Sequence, residues 1–183
     1  MRMLIMAPLP HYWIVVAKML AAALAAILQA VLLLILLAVL GYLDSQMRFG
    51  LLALGLLATA AACAGIGMLV AAFTRTLDNF AAIMNFVIFP VFFLSGSLYP
   101  VSHLPAALKI VALLNPYTYG VDLLKHAVLG ALASGLGADF PVATDIAVLA
   151  GFTAIALLVS SWRFSRESAY EPMIRILTGK RDG

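Results

Sequence analysis

The stretch Met19–Leu43, MLAAALAAILQAVLLLILLAVLGYL, contains no formally charged residue. A helix needs about 20 apolar residues to cross a hydrocarbon layer about 30 Å thick, so this stretch predicts a transmembrane helix. Three more apolar stretches follow it, and the last has Asp145 near its start. We therefore predict an all-α integral membrane protein with four transmembrane helices, at about residues 19–43, 49–73, 80–98 and 143–162.

The overall composition excludes other protein classes. Of the 183 residues, 65% are hydrophobic and 10% are charged, whereas soluble domains are about 45–50% apolar and about 25% charged. A soluble enzyme, a disordered chain and a small disulfide scaffold are therefore excluded. The net charge of +3 comes without a basic cluster interleaved with aromatic residues, so we expect the lipid bilayer and no nucleic acid as a partner. Cys63 is the single cysteine and has no internal disulfide partner.

The distribution of Lys and Arg predicts the orientation, because these residues concentrate in cytoplasmic segments. With the amino terminus inside, eight of the eleven lie in cytoplasmic segments and three lie outside. We therefore predict a multi-pass protein of a bacterial-type plasma (inner) membrane, with both termini cytoplasmic. The basic residues of the carboxyl-terminal tail provide most of this signal, either as a topology signal that contacts anionic lipid or as an ATPase-docking segment.

The segment before the last span is mostly apolar but is not a simple span. It contains Lys109 and Asp122 and is interrupted at Asn115-Pro116, and each charge at the bilayer centre costs about 2.5–3.5 kcal/mol. We predict two short helices instead, about residues 105–114 and 116–132. Together they form a re-entrant or interfacial helical hairpin on the outer side, about residues 101–133.

Proline and asparagine predict where these helices begin. Pro105 suits the first turn of one helix, and Asn115 can cap the next helix with Pro116 at its first position. Asp122 and His126 are spaced i and i+4, so they lie on one helical face together with Lys125. We expect that face to meet water, headgroups or a partner.

An ordered set of motifs connects this segment to a known family. FPVFFLSGSLYP at residues 89–100 runs into Leu104-Pro105 and then LNPYTYGVD at residues 114–122. This combination resembles the C-terminal half of an ABC-2 type exporter permease, the group that includes drug and lipo-oligosaccharide exporters. The resemblance implies one permease membrane domain over residues 1–183, without the amphipathic helix and two spans that begin most family members. It therefore predicts a fragment, an alternative start or an incomplete reading frame.

The resemblance implies a function and partners. It predicts the membrane-spanning subunit of an ATP-driven exporter that moves an amphiphilic drug, lipid or glycan-lipid outward. The expected partners are a dimer of cytosolic ABC ATPase subunits and a second permease chain, identical or homologous. ATP and Mg would bind the ATPase, and we expect no cofactor in this chain.

The resemblance also assigns roles to residues, each with an alternative. The amino-terminal segment would contact the ATPase or act as an interfacial anchor. The proline-rich hairpin would be a moving outer gate or a fixed plug. Polar residues near its start would line a path or hydrogen-bond neighbouring helices. The set for the ATPase contact is Ala7, Pro8, Leu9, Pro10, His11 and Trp13. The set for the hinge or gate is Pro100, Pro105, Asn115, Pro116, Tyr117 and Asp122. The set for path lining or interhelical bonds is Asn85, Ser95 and Ser97.

The sequence shows no catalytic centre. It contains no phosphate-binding Gly-x-x-x-x-Gly-Lys-Ser/Thr motif, and its three histidines show no metal-ligand spacing with Cys or carboxylates. We expect no enzyme activity and no metal site in this chain. The small pair Ala61 and Gly65 predicts close helix packing, within the chain or at a dimer face.

Two other classes of membrane protein fit less well or remain open. A secondary transporter needs ionisable groups near mid-membrane, between structural repeats, and the predicted spans have no such groups near their centres. A non-transporting scaffold or assembly subunit, or a truncated remnant of a permease, remains the alternative to an exporter. An adjacent ATPase gene would favour the exporter.

Overall fold

The computed structural model describes residues 11–42, 47–74, 76–98, 100–129 and 138–177, without the side chains of residue 11 and of residues 165–177. These residues form helices and connecting turns, with no strand among them. The all-α prediction is therefore confirmed. The helices are α1 (His11–Val39), α2 (Phe49–Phe73), α3 (Leu77–Phe93), a 3₁₀ turn (Val101–His103), α4 (Ala106–Leu114), α5 (Pro116–Leu129) and α6 (Val142–Leu177).

Within the part of the chain that the structure describes, three helices are long and apolar enough to cross a membrane: Tyr12–Val39, Phe49–Phe73 and Val142–Phe164. The third predicted span is the shorter apolar helix α3, whose 17 residues reach about 26 Å at 1.5 Å per residue. It ends at Phe93 and not at residue 98. Four crossings therefore remain a prediction that depends on α3 and the residues after it.

The ends of α1 and α6 differ from the predicted spans because helix formation continues beyond the charge-free stretches. α1 begins at His11 and includes Lys18, and α6 runs on to Leu177. α1 ends as Gly41 adopts φ +76°, while the N–H of Tyr42 donates to Leu37 O at 3.0 Å. This arrangement is the glycine-dependent C-cap that satisfies the last carbonyls of a helix.

α2 is the central helix and packs against α1, α5 and α6. Ala62 of α2 forms a buried cluster with Tyr119 and Leu123 of α5 and Leu149 of α6. The small residue Gly65 faces the chain itself, since a Cβ there would lie 3.0 Å from the Cβ of Ala156. Gly65 therefore packs within the chain, in agreement with the first of its two predicted roles.

The two short helices of the predicted hairpin are present as α4 and α5, and their corner reaches deep into the bundle. Gly120, in the first half of α5, contacts Thr59 of α2, which lies about 15 Å along α2 at 1.5 Å per residue. The other end of α5 lies at the start of α2, where Arg48 N–H donates to Ala127 O at 2.9 Å. The corner at residues 115–116 therefore lies near the middle of α2, and re-entry of the hairpin from the outer side of the membrane stays a prediction.

The start of α1 and residues 163–164 of α6 lie at the same end of the bundle. The Lys18 ammonium is 5.7 Å from the centre of the Phe164 ring, and the Arg163 guanidinium is 5.8 Å from the Phe73 ring at the end of α2. The start of α6 and the start of α2 lie at the opposite end, with the open side of the hairpin. The segment between the end of α2 and the start of α6 therefore makes one net passage from one end of the helix bundle to the opposite end.

Candidate functional site

The corner between α4 and α5 is held by side-chain hydrogen bonds to the last carbonyls of α4. Thr118 Oγ1 donates to Ala112 O at 2.8 Å, and the Tyr119 hydroxyl donates to Leu113 O at 2.9 Å. The last carbonyls of a helix lack hydrogen-bond donors inside the helix. Side chains of α5 supply the missing donors to the end of α4. The corner is therefore built as one unit and not as a loose joint.

Asn115 joins this corner to α3. Its Oδ1 accepts from Tyr117 N–H at 3.0 Å, which confirms the predicted cap of α5, and Pro116 is the first residue of that helix. Its Nδ2 donates to Val91 O at 2.8 Å, a carbonyl in the last turn of α3. Asn115 is 7% exposed, so one buried amide satisfies two helix ends at once.

The turn after α3 explains why this helix ends before residue 98. Ser95 Oγ donates to Phe92 O at 2.6 Å, Ser97 Oγ donates to the same carbonyl at 3.3 Å, and Gly96 has φ +76°. These hydroxyls therefore bond a carbonyl of their own helix, and the roles predicted for Ser95 and Ser97, path lining or bonds to neighbouring helices, stay predictions. Asn85 lies exposed on α3.

Two aspartates connect α5, the start of α6 and the 3₁₀ turn. Asp122 accepts from the N–H groups of Asp139 at 2.8 Å and Phe140 at 3.0 Å. The carboxylate of Asp139 in turn accepts from the N–H groups of Val101 at 2.8 Å and Ser102 at 3.1 Å. The four bonds join the start of the hairpin and the middle of α5 to the segment that leads into α6.

The position of Asp122 corrects one expectation. Its residue is 2% exposed, so the face predicted to meet water or headgroups is partly turned into the protein. The reason is that the two backbone N–H groups replace the hydration of the carboxylate. The pKa of Asp122 is raised above its ordinary value because the carboxyl group is buried. The two backbone N–H groups, His126 and Lys125 offset part of this rise.

Asp122 also belongs to a cluster of three polar side chains, with His126 of α5 and Asp145 of α6. His126 Nε2 is 3.7 Å from Asp122 Oδ2 and 2.8 Å from Phe140 O. Asp145 of α6 is fully buried, and neither of its carboxylate oxygens has a hydrogen-bond partner. One potential ligand atom from each of Asp122, His126 and Asp145 lies within 4.8 Å of the others. The cluster could not be found from the sequence because Asp145 comes from another helix; the i, i+4 spacing of Asp122 and His126 was the local signal.

The other predicted site residues lie apart from this cluster or outside the described residues. Pro100 and Pro105 precede the 3₁₀ turn and α4 as their N-caps, so Pro105 lies just before the first turn of its helix. Residues 7–10 of the predicted ATPase contact lie outside the described residues. Trp13 is 52% exposed, and its ring centroid is 5.0 Å from that of Tyr12.

The chain is similar to one protein family over most of its length. The family model described as ABC-2 type transporter matches residues 1–129, a range that includes α1 to α5. No solved structure matches the chain.

Curated relatives carry one recurring name. Nodulation protein J of Rhizobium leguminosarum bv. viciae is 34% identical over 149 residues, which cover 81% of this chain and 54% of the relative. Nodulation protein J of Rhizobium leguminosarum bv. trifolii is 36% identical over 118 residues, 64% of this chain and 44% of the relative. That of Rhizobium meliloti (strain 1021) is 30% identical over 122 residues, 66% of this chain and 46% of the relative. The chain therefore spans about half the length of the curated relatives it matches.

Proposed function

The chain belongs to the ABC-2 type transporter family of membrane transport components, and from this premise we propose that it is the permease subunit of an ATP-driven exporter. The family match, together with the long apolar helices, is the observation that carries the proposal. The amino-acid sequence contains no phosphate-binding motif. The proposal therefore assigns ATP and Mg binding to separate cytosolic ABC ATPase subunits.

The substrate class proposed is an amphiphile, such as a drug, a lipid or a glycan-lipid, moved outward across a bacterial-type inner membrane. Helix α3 has no buried residue in the described chain, and Leu77, Phe86 and Phe89 are 85%, 80% and 64% exposed. Such an apolar face needs lipid or another chain to cover it. A second permease chain, identical or homologous, is the occupant that the family resemblance implies.

The proposed gate is the α4–α5 hairpin, moving as one body. The hydrogen bonds of Thr118, Tyr119 and Asn115 Oδ1 tie the corner together. Bending at residues 115–116 would break several of these bonds, whereas movement of the whole hairpin past α2 and α3 keeps those within the corner. The proposal therefore places motion at the surfaces of the hairpin and not at the Asn115-Pro116 joint.

We propose that the start of α1 and the residues just before it transmit ATPase motion to the permease. Residues 7–11 and Trp13 would contact the ATPase. Support comes from the packing just beyond this segment. Lys18 lies over Phe164, and Val15 and Met19 pack in a buried cluster with Met68 of α2. A displacement of α1 at this end would therefore press directly on α2 and α6. The exposed pair of Tyr12 and Trp13 is equally suited to an interfacial anchor, so the experiment must separate the two roles.

The test uses the full-length permease in lipid nanodiscs together with the proposed ABC ATPase partner. We expect the two to copurify, and we expect a transported amphiphile to stimulate ATP hydrolysis. Trp13→Ala should lower this stimulation and reduce crosslinking to the ATPase. Trp162→Ala is the matched control because Trp162 is also about half exposed, at 56%. Copurification without stimulated hydrolysis or transport for any amphiphile would favour a scaffold subunit, and no association would overturn the proposal.

A further inference from the structure

The buried cluster of Asp122, His126 and Asp145 has an unusual charge arrangement. Two carboxylate side chains from different helices lie buried in one cluster, with Asp122 at 2% exposure and Asp145 at 0%. A buried carboxylate is costly unless hydrogen bonds or an opposite charge compensate it. Asp122 has two backbone N–H donors, whereas both oxygens of Asp145 lack a hydrogen-bond partner.

We propose that Asp122, His126 and Asp145 form a binding site for a divalent cation of the Zn²⁺ type. The unpartnered carboxylate of Asp145 is the observation that points to a ligand, because it aims at two other ligand atoms with all three within 4.8 Å of one another. The ligands of a tetrahedral zinc ion with bonds of about 2.05 Å lie about 3.4 Å apart. The 3.7 Å between His126 Nε2 and Asp122 Oδ2 is close to that separation.

The donor set selects the class of cation. Imidazole nitrogen suits Zn²⁺ and related transition metals, whereas Mg²⁺ and Ca²⁺ prefer oxygen ligands throughout. Two carboxylates and one imidazole provide three protein ligands and balance the double positive charge of the ion. The fourth position of a tetrahedral ion would be left to a water molecule, as in zinc sites with three protein ligands.

Binding at His126 Nε2 has a defined proton balance. A carbonyl oxygen only accepts hydrogen bonds, so Nε2 carries the proton in its bond to Phe140 O. Coordination by Nε2 releases that proton to solvent, or moves the ring to the tautomer that is protonated at Nδ1. The His126 side chain is 18% exposed, which gives the ion a route from the surface at the open end of the hairpin.

A cation here would fasten the hairpin to the last helix. Asp122 and His126 belong to α5 and Asp145 belongs to α6, so the ion would add a direct link beside the hydrogen bonds that already join α5 to residues 139 and 140. This inference concerns residues of the described chain and does not depend on transport, so it can fail or succeed separately from the proposed function.

The test measures zinc on tag-free, full-length permease in nanodiscs, using metal-defined buffer and a weak chelator. We expect about one Zn²⁺ per chain by mass spectrometry, visible absorption bands with Co²⁺ as a probe, and a higher melting temperature with Zn²⁺ but not with Mg²⁺. Asp145→Asn and His126→Gln should each weaken Zn²⁺ binding at least about tenfold, the lower end of what even supporting groups contribute.

Asp78→Asn is the matched control, because Asp78 is an exposed aspartate in the first turn of α3 and should leave zinc binding unchanged. If Asp145→Asn fails to fold, His126→Gln still tests the site. Folded wild-type protein that holds less than about a tenth of an ion per chain would overturn the proposal. Equal zinc binding in wild type and both cluster variants would also overturn it, since the ion would then lie elsewhere.

Discussion

The close packing of Gly120 of α5 against Thr59 of α2 makes a sharp prediction for Gly120→Ala. A Cβ built at Gly120 would lie 2.5 Å from Thr59 Oγ1 and 2.7 Å from Thr59 Cγ2. Both distances are too short for real contacts. Threonine is branched at Cβ and stiff at χ1, so turning the side chain replaces one clash with another and the helices must separate.

The magnitude follows from two opposing effects. Overpacking a well-packed interior costs about 1–3 kcal/mol, and alanine gains about 1 kcal/mol over glycine as a helix former. We expect Gly120→Ala to lower the free energy of unfolding by about 1–2 kcal/mol, because two atoms clash and not one. Gly67→Ala on α2 is the control: a Cβ there meets nothing within 4 Å, so it should be neutral or stabilising.

A second substitution tests whether this contact is the cause. Thr59→Ala removes both clashing atoms and leaves only Cβ, 3.1 Å away. It should be mild alone, since the buried Thr59 hydroxyl has no hydrogen-bond partner, and it should restore most of the stability lost in Gly120→Ala. The assay is a double-mutant cycle on unfolding in lipid nanodiscs. Gly120→Ala with wild-type stability, or no rescue by Thr59→Ala, would refute this packing of α5 on α2.

The remaining predictions concern the hydrogen bonds of the hairpin and the core beneath it. Asn115→Ala should cost about 1–2 kcal/mol by removing a helix cap and should lower export, whereas Asn115→Asp should retain the cap but set a carboxylate oxygen against the Val91 carbonyl in place of the bond to α3. Asp139→Ala should expose residues 100–105 to protease, because it removes the acceptor for two backbone N–H groups. Leu149→Ala should destabilise by about 2–5 kcal/mol since Leu149 is 1% exposed, whereas Leu158→Ala, at 71% exposure on the same helix, should have little effect.

Each of these predictions has a contradicting result. Full export and unchanged stability for Asn115→Ala would remove the hairpin corner from the proposed gate. Equal proteolysis of Asp139→Ala and wild type would show that other contacts hold the 3₁₀ turn. Similar losses of unfolding free energy at Leu149 and Leu158 would mean that the two faces of α6 are not distinguished as buried and lipid-facing.

Much of the architecture could be predicted because it depends on local patterns. Long charge-free stretches predicted α1, α2 and α6, and Asn115-Pro116 predicted the start of α5, since a cap and a proline at the first position act within a few residues. The end of α3 was placed too late because an apolar stretch does not reveal where serine hydroxyls bond back to the helix.

Contacts between segments that are distant in the sequence could not be predicted. Asp122 was expected on a wetted or partner-facing side, yet its partners are backbone N–H groups of residues 139 and 140. Asp145 was noted only as an interruption of the last span. Its approach to Asp122 and His126 depends on how α5 packs on α6, and a single sequence contains no direct record of that packing.

Sidedness labelling tests the central claim, that the chain makes an even number of crossings with the hairpin entering from outside. In a Cys63→Ala background, single cysteines would replace Met3, Ser102 and Gly183, and intact spheroplasts would be treated with a membrane-impermeant maleimide. We predict labelling at position 102 without permeabilisation, and at positions 3 and 183 only after it. Labelling of position 183 but not position 3 in intact spheroplasts would mean an odd number of crossings, and would contradict both the architecture and the exporter proposal.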